Sequence, residues 1–453
     1  MNLCENGCGT IFSFWPISGA GAIRRLYSFT GTFDGQTPSA PSIPDGTESL
    51  YVATQGYRLY DFAPEGIWFQ LSPTRGGGWK GTTIADFPTS KDGYDPTPPL
   101  LFDPTDETIS YGTTLAGGAG GWGTVFVMDN SGGSGYKPVI IHNFLFQGDG
   151  GFPYGGLAMD AARNLYGTAA YGGALDCPEG CGTVFKLTPG SDIKNWNFST
   201  LYSFKNGTDG ETPLGAPAVD AAGNVYATSS YGGVLCGFYG CGAVIEIPAG
   251  GGSAKIVHAF QGGGDGGAPF YYSITVDGAG NIYGVNTAGV ANGTGVVYEL
   301  SRASGDTWKE TVLYNFLPTE TCTVFTPTLD DSGNVYGTTR LGGTNNLGTV
   351  FELSLAGNTW TNKVLYNFAS SDGGSPVGGV AFDSKGNLYG LTNLKAYELA
   401  PVSGGWQETL LTAFNPSSSG TLQGNLAVDS SGDLLGTTSI YGGIPGIAFE
   451  LAP

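Results

Sequence analysis

Residues Asp220–Ile247 read DAAGNVYATSSYGGVLCGFYGCGAVIEI. Looser copies recur along the chain: NLYGTAAYGG at Asn164–Gly173, NIYGVN at Asn281–Asn286, NVYGTT at Asn334–Thr339, NLYGLT at Asn387–Thr392 and DLLGTT at Asp433–Thr438. Degenerate versions are SLYVAT at Ser49–Thr54 and TISYGTT at Thr108–Thr114. Self-similarity of this kind sets the architecture before any local reading, because each copy buries its apolar face only against its neighbours.

Working outward from this stretch, one unit holds four short strand signals. In Pro213–Phe260 they are GAPAVD, NVYATS, GAVIEI and AKIVHAF. Each is rich in Val, Ile, Tyr or Phe and is bounded by Gly, Pro, Asn or Asp. The D-x-x-G-N segment joining the first two is turn chemistry: Asp and Asn cap local backbone groups, and Gly accepts a positive φ. The second-strand motif recurs every 46 to 60 residues. Four antiparallel strands at that period predict an all-β fold, a β-propeller of eight four-stranded blades. The expected units are Ala40–Phe87, Pro98–Phe144, Pro153–Phe204, Pro213–Phe260, Pro269–Phe316, Thr326–Phe368 and Pro376–Phe414, with an eighth from Leu422 to the C-terminus. The whole chain, 1–453, reads as one propeller domain.

The two ends fit a closure. The C-terminal stretch offers first, second and third strands (NLAVD, DLLGTT, IAFELAP), and the N-terminal 30 residues offer a fourth, RRLYSF at Arg24–Phe29. A blade completed from both termini removes exposed sheet edges. One third-strand candidate is then surplus, either GCGTIFSF or IAFELAP, as a fifth strand or a truncated unit.

Composition narrows the function. Among 453 residues, 79 are glycine and 13% aromatic, but only 12% are charged, a turn-rich β composition. The net charge of −20, with 18 Lys+Arg, leaves no basic stripe, so a nucleic-acid partner and an anionic membrane surface are both disfavoured. No apolar run approaches the length of a membrane span, and no membrane insertion is expected. The opening MNLCENGCGTIF has neither a charged n-region nor an apolar h-region.

Six of the seven cysteines form close pairs, Cys4/Cys8, Cys177/Cys181 and Cys236/Cys241, each before a third strand. Small disulfide loops are the expected reading, each contributing about 2 kcal/mol, and they point to an extracellular or cell-surface location. Zinc held by two neighbouring pairs is the alternative.

In a four-stranded meander the 2–3 loops and the inter-blade links emerge on one face, where loops carry function. The links repeat an Asp-Gly before a proline, with Asp34, Asp92, Asp149, Asp209, Asp265 and Asp372. The carboxylates Asp149, Asp209, Asp265 and Asp372 are candidates to bind calcium, the one cofactor considered; the competing reading is a plain Asp-Gly turn. The pattern fails at Leu317–Thr326 and Asn415–Thr421. Tyr171, Tyr231 and Tyr441 of the YGG motif, with Trp122 and Tyr239, suit stacking on sugar rings; the competing reading has them covering blade edges. Arg340 is a candidate contact to an anionic ligand. His142 and His258 fall in outermost strands and read as structural, and no catalytic triad or HEXXH site is present. The tyrosines Tyr166, Tyr226, Tyr283, Tyr336 and Tyr389 read as core between blades.

The units resemble a known bacterial repeat. LYSF at Leu201–Phe204, GNVYATSSYGG at Gly223–Gly233 and GCGTVFKL at Gly180–Leu187 are similar to the GloVer tandem repeat of predicted secreted or surface-anchored proteins. The resemblance spans nearly the whole chain and implies secretion and a repeat architecture; it brings no reaction and no catalytic residues. The expected function is a binding or adhesion module for an extracellular glycan or protein. A glycan-active hydrolase or lyase using aspartates near the axis, and a structural surface protein, are the alternatives.

Overall fold

The computed structural model describes residues 10–15, 22–28, 36–38, 49–55, 66–74, 79–87, 91–129, 138–174, 176–234, 240–251, 253–269, 273–286, 295–304, 307–320, 326–413, 421–428, 434–439 and 447–451. These residues form eight separate sheets, seven of four strands and one of five. The fold is a β-propeller. In the fourth blade the strands Ala218–Val219, Val225–Ser229, Ala243–Ile247 and Lys255–Ala259 pair antiparallel in chain order. The same order recurs from the first blade (Gln36–Pro38 to Trp79–Asp86) to the seventh (Ala381–Phe382 to Gly405–Ala413).

First strands lie next to one another around the axis, and from the third to the seventh blade they pair over only two residues. Crowding accounts for this: a Cβ on Gly155 would sit 2.5 Å from the carbonyl carbon of Gly215 in the next blade. In the first two blades the first strands begin earlier than the sequence suggests, at Gln36 and Tyr94.

Each D-x-x-G-N turn folds on its aspartate. Asp220 Oδ1 accepts the N–H groups of Ala222 (2.9 Å) and Asn224 (2.8 Å), while Oδ2 accepts Asn224 Nδ2 (2.8 Å) and Tyr226 Oη (3.0 Å). Asp160, Asp277, Asp330 and Asp383 repeat this set. Burial works against the charge on Asp160, Asp220 and Asp383, yet the donors hold all three below the usual carboxylate range. Burial also pushes the Tyr226 phenol up to about 12.

The tethered tyrosines are the core between blades. Tyr166, Tyr226, Tyr283, Tyr336 and Tyr389 are all buried, each in a cluster completed by the next blade. Full burial of such a side chain is worth about 2 kcal/mol. Seven clusters fill the interfaces from the first blade to the eighth.

The remaining interface closes the ring. The C-terminal strands Thr421–Val428, Leu434–Ser439 and Ile447–Leu451 share a sheet with Thr10–Trp15 and Ala22–Ser28. The surplus strand is thereby placed. Thr10–Trp15 lies parallel to Ile447–Leu451, and Ala22–Ser28 pairs antiparallel outside it, running as a fourth strand would but one position further out. Tyr27 then packs on Phe69 of the first blade, ring centroids 4.6 Å apart.

The links pin each blade to the next through their Asp-Gly pair. Asp209 Oδ2 accepts Tyr202 Oη and the Lys205 N–H, both at 2.9 Å, from the outer strand of the third blade. Its carbonyl accepts Ser229 Oγ of the fourth blade at 2.8 Å. The following Gly210 has φ +74°, and a Cβ there would lie 2.2 Å from Ser229 Oγ. Gly210→Ala should therefore cost about 2–4 kcal/mol, read as the shift in the urea midpoint. Gly250→Ala, where a Cβ meets nothing within 4 Å, should stay within about 0.5 kcal/mol of the parent.

Candidate functional site

Links and 2–3 loops do share a face, because they hydrogen-bond to each other. Gly151 exchanges backbone bonds with Tyr171 (3.0 and 3.2 Å), and Glu211 with Tyr231 (2.7 and 3.1 Å). In four blades the residue two before the third strand adds a further tie. The carbonyls of Trp122, Cys181, Cys241 and Leu347 accept the N–H groups of Phe152, Thr212, Ala268 and Ser375. Those four donors precede prolines and have left-handed φ values of 48 to 57°. A second left-handed position, two residues past the outer-strand Phe, holds Phe146, Asn206 and Gly262, whose N–H groups bond Gly150, Gly210 and Gly266.

These correspondences expose a break in the repeat. Where the matching positions hold Asn206 or Gly262, then Asp95, Thr212, Ala268 or Ser375, and then Cys181, Cys241 or Leu347, the link between the second and third blades carries Phe146, Phe152 and Trp122. Trp122 lies 4.2 Å from Phe146 and 5.4 Å from Phe152, centroid to centroid, and Phe152 lies 5.8 Å from Tyr171. Gly151 fits between Trp122 and Phe146; its Cβ would be 3.0 Å from Trp122 Cβ. All four rings are half-buried, and Leu145 beside them is 60% exposed. A bulky residue at positive φ costs about 1–3 kcal/mol, so two phenylalanines held that way in one link point to use of the surface they build. The exposed Gln147 and Glu179 flank the rings, their carbonyls accepting the N–H groups of Gly173 and Gly172.

Of the sequence-predicted ligand residues, Trp122 and Tyr171 come together here. Tyr231 is half-buried in the fourth blade's loop, and Arg340 is exposed in the sixth blade's. Tyr239 and Tyr441 lie outside the described residues. Phe146 and Phe152 were missed: the motif reads Asp-Gly-x-x-Pro, and only the structure reveals that the residue before proline is left-handed.

The predicted metal aspartates sit in four separate links. Asp149, Asp209 and Asp372 each accept backbone N–H groups from their own turn. Glu320 does the same work in the fifth-to-sixth link, where the Asp-Gly pattern fails, accepting Tyr314 Oη (2.8 Å) and the Leu317 N–H (2.9 Å). Asp265 also joins a group that holds a histidine and a second carboxyl. His258 Nε2 is 2.8 Å from Asp265 Oδ1 and 3.7 Å from Glu310 Oε2 on the outer strand of the fifth blade. Burial opposes the charge on Asp265, but bonds from His258, Glu310 and the Gln261 N–H hold it below the usual range. Burial first, then Asp265, pushes Glu310 up to about 9. His142, the other histidine, lies 3.2 Å from Asp149 and stacks on Phe198 at 3.7 Å, and burial keeps it neutral. Both histidines are in outermost strands, as the sequence suggests.

Cys177 and Cys181 form a disulfide in the third blade's 2–3 loop, Cα atoms 5.2 Å apart. Cys241 is also disulfide-bonded; Cys236, Cys4 and Cys8 lie outside the described residues. Among the described residues no helix is long and apolar enough to cross a membrane.

Comparison with protein families returns one repeat. The Gloeobacter/Verrucomicrobia repeat matches residues 2–238 and 217–449. The chain belongs to that family. No curated protein matches it. Among solved structures it is similar to the polysaccharide lyase Uly1 (12% identity, 91% of this chain and 98% of that one, TM-score 0.45). A puromycin hydrolase (11%, 88% and 59%, 0.44) and a gluconolactonase from Xanthomonas campestris (13%, 67% and 86%, 0.33) are also similar. None of these likenesses bears on what this member of the repeat family binds.

A proton held by Glu310 has a pH signature. Its pKa is raised in the folded state, so the stability it contributes is complete below the unfolded value near 4.3 and is lost as pH rises through about 9. The urea midpoint should fall between pH 7 and pH 10 by more in the parent than in Glu310→Gln, which carries no titrating proton there.

Proposed function

We propose that this propeller is an extracellular binding module that takes up glycans on its loop face, with Trp122, Phe146, Phe152 and Tyr171 as the recognition patch. The single observation that carries the reading is the concentration of aromatic rings at one link. Three rings, Phe146, Phe152 and Trp122, replace smaller side chains of the matching links, two of them on left-handed backbone, and they gather on the motif tyrosine Tyr171. Sugar rings offer flat apolar C–H faces that stack on such rings, and hydroxyls that pair with flanking groups such as Gln147 and Glu179. The net charge of −20 disfavours uronate-rich or sulfated chains and favours neutral ones. The disulfide supports an oxidising compartment. Breaking repeat symmetry at one link suits a binding site on a scaffold that is otherwise regular.

The repeat supplies substitutions the backbone already tolerates. Phe146→Asn and Phe152→Thr install the residues found at the matching positions, Asn206 and Thr212, both with positive φ. The double variant should keep the parent circular dichroism spectrum and lose at least about tenfold in affinity for the neutral oligosaccharides that the parent binds on a glycan array, as should Trp122→Ala. Unchanged binding in both variants would reject this patch as the site.

A further inference from the structure

The outer strands carry a second repeated contact, and one copy of it has the makings of a metal site. At five interfaces the residue two before the outer-strand Phe meets the residue six before the Phe of the next blade. The pairs are His142 with Phe198, Tyr27 with Gly81, Tyr314 with Asn362, Tyr366 with Glu408 and His258 with Glu310. A link carboxylate joins the last two pairs, Asp372 and Asp265 respectively. Both places therefore bring two carboxyl groups together, and the fold treats them differently.

At the sixth-to-seventh interface the charge is met from within. Lys395, opening the third strand of the seventh blade, counters both Asp372 and Glu408, and its stem passes beside Gly373. At the fourth-to-fifth interface the matching position beside Gly266 is Val296, which has no charge to give. A histidine, a metal ligand, stands there in place of Tyr366. Glu310 Oε1 is buried with no hydrogen-bond partner. His258 Nε2 and one oxygen each from Asp265 and Glu310 lie within 4.8 Å of one another, near enough for small side-chain shifts to bring them to the roughly 3.4 Å separations of donors around one tetrahedral ion. A divalent cation would displace the Glu310 proton and be met by the imidazole and two carboxylates, with Glu310 Oε1 able to join Oε2 as a second donor.

We propose that His258, Asp265 and Glu310 bind a divalent transition metal of the zinc type, completed by water, which clamps the fourth blade to the fifth. Three protein ligands including an imidazole suit zinc, cobalt or nickel rather than calcium, which takes six to eight oxygens. This site is independent of the glycan reading, on a different pair of blades.

The test is zinc titration of chelator-stripped full-length protein by calorimetry, with cobalt as a spectroscopic stand-in. One equivalent should bind, and cobalt should give the absorption of a low-coordinate nitrogen–oxygen site. His258→Tyr rebuilds the arrangement that Tyr366, Asp372 and Glu408 already adopt, and Glu310→Gln preserves shape and the hydrogen bond to Asp265; each should weaken zinc at least about 100-fold. Failure of the stripped parent to take up zinc or cobalt overturns the proposal. So does parent-like uptake by either variant when its thermal transition shows it folded.

Discussion

A four-stranded blade has two apolar faces, and among the described residues what covers them is the neighbouring blade. Each must be buried against another blade, so the array is stable only if it has no end. The tyrosine of the second strand is the wedge that meets this demand. Its ring fills the gap to the next blade while its hydroxyl stays on the aspartate of its own turn, so a bulky amphipathic group is buried without an unpaired polar atom. At the last gap no new wedge motif is supplied. Instead the N-terminal strands extend the eighth blade, and Tyr27 from them packs on Phe69 of the first.

Closure also explains the links. A blade held only by apolar packing is free to slip along its neighbour, and the Asp-Gly pair removes that freedom by bonding the outer strand behind it and the inner strands ahead. Once each link is fixed by a carboxylate and a left-handed backbone, its remaining side chains can vary without disturbing the ring. The aromatic rings between the second and third blades, and the imidazole–carboxylate group between the fourth and fifth, both exploit this latitude.

Most of the architecture was legible because turn chemistry and strand period repeat. The D-x-x-G-N turns, the buried tyrosines, the outer-strand histidines and the sealing of the last blade from both ends all followed from residues such as Asp220, Tyr226 and Arg24–Phe29. The parallel insertion of Thr10–Trp15 was not decidable, since a third-strand sequence pairs equally well with either kind of neighbour. The proposed aromatic patch was half legible. Trp122 and Tyr171 stood out as aromatics in Gly-rich loops. Phe146 and Phe152 did not, because positive φ at a phenylalanine leaves no mark in sequence. Glu310 was hidden for another reason: its partners lie on the preceding blade, and only the stagger between outer strands brings it to His258.

Every other feature of the fold depends on the sealed ring. Amide hydrogen exchange followed by mass spectrometry, on the full chain and on one lacking residues 1–28, tests this directly. With the N-terminal strands present, Ile447–Leu451 has partners on both sides and its amides should exchange slowly; without them, protection there and along Trp79–Asp86 of the first blade should drop by orders of magnitude. Equal protection of both segments in the two chains would contradict the closure, and with it the ring.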